Sequence, residues 1–259
     1  MIRTFDLLNS EGQAYTLTIS HRYTGFLTTA EGLGFENSPE YVRIGNNYER
    51  LTDNLNQSVI SGVVQFFQPY AYQKFSAFAE FCQDKNLTLF YRTPTGLFKK
   101  DGAVTKIEKS EGDDSLKVKI EFTATSLWYE EISKTVEGST IHILSDSSLE
   151  SPCDVAVTGF NVVSANLSWK WKTESESGYK YGRLYSIDLG SSYTLHIRSD
   201  TNPYQIYKQL GNAKTNLYQS SDFARPRFIF LGKGDNEITF ENVTVGTFTV
   251  SARIYYETI

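Results

Sequence analysis

Only one segment of this chain places its apolar residues at helical spacing. From Pro69 to Lys85 (PYAYQKFSAFAEFCQDK), Ala71, Phe75, Phe78, Ala79 and Cys82 recur at i, i+3, i+4 and i+7. Pro69 suits a first turn, and Lys85-Asn86 suits an end. Elsewhere the apolar residues alternate or form short runs bounded by Gly, Asn, Asp and Ser, which is the period of strands. Leu116 to Phe122 is the clearest case: Leu116, Val118, Ile120 and Phe122 alternate with Lys117, Lys119 and Glu121, giving one wet face and one core face. A chain of 259 residues with this pattern predicts a mainly β protein of two domains. Its 17 Tyr and 17 Phe against one Met favour pleated, half-buried surfaces over helices.

Before the helical segment the chain reads as Tyr15 to Ser20, a Gly-rich loop through Glu31-Gly32-Leu33-Gly34, Tyr41 to Ile44, and Ser58 to Phe67. The last of these is apolar on both faces, which predicts a strand covered on both sides. After the helix come Leu87 to Thr93, a Pro94-Thr95-Gly96 turn, and Leu97 to Lys100 joined to Ala103 to Lys109. Asp101-Gly102 between those two runs predicts a tight hairpin. Polar sequence from Ser133 to Ser139 reads as a linker, and the boundary is placed near residue 135, giving domains 1–135 and 136–259. Beyond it, strand-like runs with Gly, Asn and Ser turns, ending in Thr247 to Tyr256, predict an antiparallel sandwich. Periodicity leaves Asn202 to Leu210 open between helix and loop.

The formal net charge of −5 argues against a protein that wraps nucleic acid, since no basic patch is present to displace counterions. Cys82 and Cys153 lie far apart, and Cys82 falls on the core side of the predicted helix, so no disulfide is expected. Met1 to Ser10 has no apolar core of the secretory kind, and Val59 to Phe67 is too short to span a bilayer. The sequons at Asn56, Asn86, Asn166 and Asn242 therefore carry no weight.

Catalytic constellations are missing from the pattern. His21, His142 and His196 are isolated, with no Cys, Asp or His at metal-ligand spacing, and no Gly-x-Ser-x-Gly elbow occurs. Gly232-Lys233-Gly234 would put the third glycine of a nucleotide loop at Glu237, so it reads as a hairpin turn. The acidic pairs Asp113-Asp114 and Glu130-Glu131 read as solvated charge. No catalytic, cofactor-binding or metal-ligating residue is predicted. The remaining feature is aromatic. Trp169 and Trp171 share one face of a strand, and Tyr179 and Tyr181 share a face soon after, so the four form either a platform that stacks sugar rings or part of a sandwich core.

The order of the first half is informative as a whole. The helix PYAYQKFSAFAEFC, the strand LTLFYRT, the Pro-Thr-Gly turn, Leu97-Phe98-Lys99-Lys100, Val104 to Lys109, Leu116 to Phe122 and Ser126-Leu127-Trp128-Tyr129 follow one another in a way that resembles the N-terminal domain of distal tail proteins. These are structural components of long-tailed, non-contractile phages of Gram-positive hosts. The opening MIRTFDLLNSEGQAYTL is similar to theirs, as are Gly234 to Ile238 and Tyr255-Tyr256-Glu257 near the end. The resemblance implies an N-terminal β-sandwich with one helix and a long hairpin, followed by a galectin-like β-sandwich. It implies a homohexameric ring around the DNA exit channel, located at the tail tip of the virion. Its implied partners are the tail-tube protein, the tail-tip hub or tail-associated protein, and receptor-binding or baseplate proteins. It implies no enzyme activity, no cofactor, no membrane and no sequence-specific nucleic acid binding. Longer relatives insert carbohydrate-binding modules that this chain has no room for. A glycan-binding sandwich for host saccharide is the alternative. Candidate segments for reaching a ring neighbour are Leu97 to Lys109 and Gly32 to Arg50.

Overall fold

The computed structural model describes residues 4–18, 25–44, 46–112, 115–241, 243 and 245–259. The protein is mainly β with one α-helix among these residues. It divides into two compact units, residues 1–129 with 257–259, and residues 130–256.

The first unit contains β1 (Thr4–Leu8), β2 (Ala14–Thr16), β3 (Phe26–Glu31), β4 (Asn37–Ile44), β5 (Asn47–Leu55), β6 (Val59–Phe67), α1 (Ala71–Phe81), β7 (Leu87–Arg92), β8 (Leu97–Glu111) and β9 (Ser115–Ala124). Two antiparallel arrays share β8: one runs β8-β7-β1-β2, the other β8-β9-β6-β3. The predicted hairpin across Asp101-Gly102 does not form, because β8 is one continuous strand through both residues. Its first half pairs with β7 as far as Gly102, and its second half pairs with β9 from Gly102 onward. The Asp-Gly pair therefore marks a corner where one strand passes between sheets. A Cβ on Gly102 would lie 2.4 Å from the Thr123 carbonyl oxygen and 2.7 Å from the Phe122 ring, so the glycine serves close approach. Asp101 Oδ1 accepts hydrogen bonds from Thr88 Oγ1 (2.9 Å) and from the Tyr129 hydroxyl (2.7 Å).

The predicted helix is α1, slightly shorter than its periodic stretch. It buries Ala71 and Phe78, and Phe78 and Phe75 pack on Phe66 of β6 at ring distances of 5.7 and 6.2 Å. That contact covers one face of β6. The other face is only half-buried, so the strand alternates where its sequence reads as covered on both sides. Among the described residues, strands β4 and β5 pair only with each other and form a sheet of their own.

Lys100, on β8, is 2% exposed, and its ammonium lies 4.9 Å from the centre of the Trp128 ring. Burial lowers its pKa to about 8 from an ordinary 10.5. Below pH 8 both folded and unfolded chains hold the proton, and the folded state bears the whole desolvation cost. Between pH 8 and 10.5 the unfolded chain binds more protons than the folded one, so stability rises with pH across that window. Lys100→Met is expected to gain roughly 1–3 kcal/mol at pH 7. The gain should shrink toward pH 10.5, as measured by denaturant unfolding of both proteins across the pH range.

Strand β10 (Trp128–Glu137) begins in the first unit and continues into the second. The polar stretch that reads as a linker is therefore strand as far as Glu137. The second unit then contains β11 (Thr140–Ser145), β12 (Ser151–Val157), β13 (Val162–Thr173), β14 (Lys180–Leu189), β15 (Thr194–Arg198), β16 (Gln205–Leu210), β17 (Ala213–Asn216), β18 (Phe230–Leu231), β19 (Gly234–Glu241) and β20 (Thr247–Tyr256). Of Asn202 to Leu210, the stretch left open between helix and loop, Gln205–Leu210 is strand β16 and the three residues before it are loop. One sheet runs β17-β16-β15-β12-β20-β10, and the other β11-β19-β13-β14. Their inward residues make one core: Val155, Ile197 and Val250 from the first sheet, Ile143, Trp169, Ile238 and Phe240 from the second. Phe240 meets Phe248 edge-on at 5.4 Å across the two layers, so the unit is a β-sandwich.

Gly232-Lys233-Gly234 is not a hairpin turn. It joins β18, which pairs with β12, to β19, which belongs to the opposite sheet. Buried Asn236 holds this crossing: its Oδ1 accepts the Gly232 N–H (2.8 Å), and its Nδ2 donates to the carbonyls of Gly232 (2.8 Å), Gly234 (3.1 Å) and Ile143 (3.1 Å).

Candidate functional site

The four aromatics proposed as a sugar platform do not share a surface. Trp169 is 0% exposed and Trp171 2%, both pointing into the sandwich core, so neither indole offers a face to stack on a ring from solvent. The core alternative is the correct one for the tryptophans, and its reason is register. Trp169 lies opposite Phe240 on one side and Gly182 on the other, and Trp171 lies opposite Ile238. Neighbours Lys170 and Lys172 alternate with them and face outward. Tyr179 and Tyr181 are on that outer side, with ring centres 6.5 Å apart. The ammonium groups of Lys170 and Lys172 each lie 4.7 Å from the Tyr179 ring centre, and the Tyr179 hydroxyl donates to Glu237 Oε2 at 2.9 Å. The tyrosine is thus already engaged by cations and a carboxylate. Tyr181 is 40% exposed, and Tyr179 is half-buried.

The histidines are separate structural pairs. His142 Nδ1 is 2.8 Å from Asp235 Oδ2 across β11 and β19. His196 pairs with Asp154 at 3.1 Å and stacks on Tyr207 at 4.8 Å. His21 and Asp113-Asp114 lie outside the described residues. Among the described residues no group of three or more His, Cys, Asp or Glu could hold a metal ion. Glu130 is bonded by the Tyr256 hydroxyl at 3.2 Å, and burial raises its pKa. Glu131 faces Arg253 at 3.6 Å on an exposed surface. Cys82 and Cys153 are free and buried, and burial pushes both thiols up to about 12, far from a reactive thiolate. Among the described residues no helix is long and apolar enough to cross a membrane.

Two further surface features stand out among the described residues. The β4–β5 hairpin carries exposed Tyr41 (57%) and Tyr48 (70%) on strands that no other strand supports. An isolated two-stranded ribbon is marginal in water, so such an arm calls for a second surface. The other is a cleft of about 1410 Å³ in the second unit, walled by Tyr204, Tyr207, Tyr218, Arg227 and Phe228. Sequence reasoning passed over this cleft, although Tyr204, Tyr207, Tyr218, Phe223, Phe228 and Phe230 crowd one stretch of chain. They follow no period, since they come from two strands, β16 and β18, a 3-10 turn (Tyr218–Ser220) and loops.

Residues 4–125 match a family described as "Distal tail protein, N-terminal domain". The matched segment is the first unit almost to its end. Over its whole length the chain shares its fold with proteins of phage baseplates. It is similar to a chain in the structure of the phage p2 baseplate in its activated conformation with strontium, at 14% identity and a TM-score of 0.61, covering 100% of both chains. It is also similar to the Dit protein of phage SPP1, titled a paradigm of the hub adsorption apparatus in phages that infect Gram-positive bacteria. There the identity is 11% and the TM-score 0.69, over 96% of this chain and 98% of that one. At such identities the likeness is one of fold. Among curated proteins none matches.

Proposed function

We infer that this chain is a distal tail protein, an architectural component of the tail tip of a phage with a long, non-contractile tail and a Gram-positive host. The observation that carries this reading is the agreement of two independent likenesses. The distal tail family matches the first unit, and the baseplate fold extends through both units with almost complete coverage in each direction. In this reading the first unit builds a homohexameric ring around the DNA exit channel, and the second unit is a galectin-like sandwich. The ring joins the tail-tube protein to the tail-tip hub and to receptor-binding or baseplate proteins. Its work is oligomerisation and docking, without turnover.

Two features of the chain support the ring. A cyclic assembly uses a heterologous interface repeated around an axis, and the unsupported β4–β5 arm with its exposed tyrosines suits that use. A net charge of −5 suits a channel that must let DNA pass without holding it.

Light scattering with negative-stain imaging tests the reading. Six protomers of 29.4 kDa weigh about 176 kDa, and images should show six-fold rings with a central hole. A protein that stays monomeric even when mixed with purified tail-tube protein overturns the ring.

A further inference from the structure

The cleft in the second unit is lined by aromatic rings in contact with one another. Phe228 lies between Tyr204 and Tyr218, with ring centres 5.0 and 6.2 Å away, and Tyr204 also meets Phe230 at 5.8 Å. Tyr204 is 47% exposed, so this ladder is open to solvent at one end. Its cations are unequal in what they already hold. Lys180 is paired with Glu176 at 2.6 Å, and Arg225 with Asp222 at 3.2 Å. Arg227 has no carboxylate among the described residues: its guanidinium lies over the rings of Phe223 (4.4 Å) and Tyr218 (5.1 Å), and Nη2 donates to the Tyr218 hydroxyl at 3.2 Å. Its Nε–H is buried without an acceptor, as is the Nε1–H of Trp171, which also lines the cleft. Lys214, exposed on β17, likewise has no carboxylate among the described residues, and its ammonium lies 4.7 Å from the Tyr207 ring centre. The acids of the lining are Glu150, which is exposed, and Asp200, which is held by Arg198 at 2.7 Å.

We propose that this cleft binds a saccharide carrying an anionic substituent, of the sugar-phosphate class. The ring ladder offers flat apolar faces to the C–H face of a pyranose, with phenol hydroxyls at the margin for its alcohols. Arg227 and Lys214, lining cations with no carboxylate among the described residues, supply positive charge that an oxyanion complements. This site is distinct from the Tyr179–Tyr181 side of the sandwich. It lies within one unit and does not depend on the ring, so a failure of ring formation leaves it standing.

The test uses the full-length protein and calorimetric titration with glucose 1-phosphate, glucose, inorganic phosphate and hexaglutamate. Glucose 1-phosphate should bind at least about tenfold more tightly than either glucose or phosphate, with affinity falling as salt rises. Tyr204→Ala, at a half-exposed position, should weaken it roughly tenfold, and Lys214→Ala, on the exposed edge strand, roughly threefold, with unchanged melting of both variants. Phosphate binding as tightly as the sugar phosphate overturns the saccharide class. Tighter binding of hexaglutamate makes the cleft a site for acidic peptide and overturns it too. No heat with any probe at millimolar concentration, or binding untouched by both substitutions, overturns the site itself.

Discussion

Gly182→Ala is expected to destabilise the second unit by roughly 3 kcal/mol, at the upper end of what overpacking costs, and to lower its melting temperature by about 5–15 °C. Gly182 is on β14 directly opposite Trp169 of β13. A Cβ there would lie 2.2 Å from Trp169 Cε2, 2.3 Å from Cζ2 and 2.5 Å from Nε1. The indole cannot retreat, because it is 0% exposed and packs on Phe240 at 6.1 Å within the core. Gly178→Ala serves as the control, since its Cβ would meet nothing within 4 Å, and should change stability by less than about 0.5 kcal/mol. Adding Trp169→Phe to Gly182→Ala should recover part of the loss, because the smaller ring returns the space that the methyl occupies. Equal melting of Gly182→Ala and Gly178→Ala would show that the Trp169 pocket is not packed as described.

The same pair of residues shows what sequence could and could not reveal. Alternation along Asn166 to Trp171 makes a strand legible and puts Trp169 and Trp171 on one face. It does not say which face is covered, because that depends on a second sheet contributed by residues about 80 positions distant in sequence, such as Val250. The helix at Ala71–Phe81 was legible for the opposite reason: its signal is local, and Phe78 needs only one face of β6 to bury it. Asp101-Gly102 misled because the dipeptide that favours a two-residue turn also suits a strand corner, where glycine admits the Thr123 carbonyl and the aspartate gathers hydroxyls. Only the pairing of β8 with both β7 and β9 separates the two uses.

The two described histidines, His142 and His196, each face a cross-strand aspartate, a pairing that strand register sets and spacing in sequence does not show. The aromatic cleft was hidden because its walls come from β16, the Tyr218–Ser220 turn and the loop through Arg227, elements whose residues share no spacing. Family-level order was easier to read than any of these local features. The match over residues 4–125 covers the succession of helix, strand, turn and strands as far as Phe122, and Ser126 to Tyr129 lie beyond it.

Excising the β4–β5 arm should convert the proposed hexamer to a monomer without unfolding the first unit. The arm can be removed cleanly because Asn37 and Leu55 are paired neighbours at its base, and the Asn56 N–H donates to the Glu36 carbonyl at 2.8 Å just below them. A short Gly-Ser linker in place of residues 37–55 therefore spans the gap between adjacent strands, which is about 5 Å. No other strand loses a partner, so α1, β6 and the β8 corner keep their packing, and thermal unfolding should shift by less than about 1 kcal/mol. Association should respond far more strongly. Each arm removed deletes one interface in a closed ring, and the loss is repeated at every subunit boundary, so the assembly falls from about 176 kDa to a single protomer. The point variants Tyr41→Ser and Tyr48→Ser, both at exposed positions, separate the arm's surface from its length and should weaken association by roughly tenfold or more each, as buried interface tyrosines do. A hexamer that persists after excision would move the ring interface to another surface of the first unit.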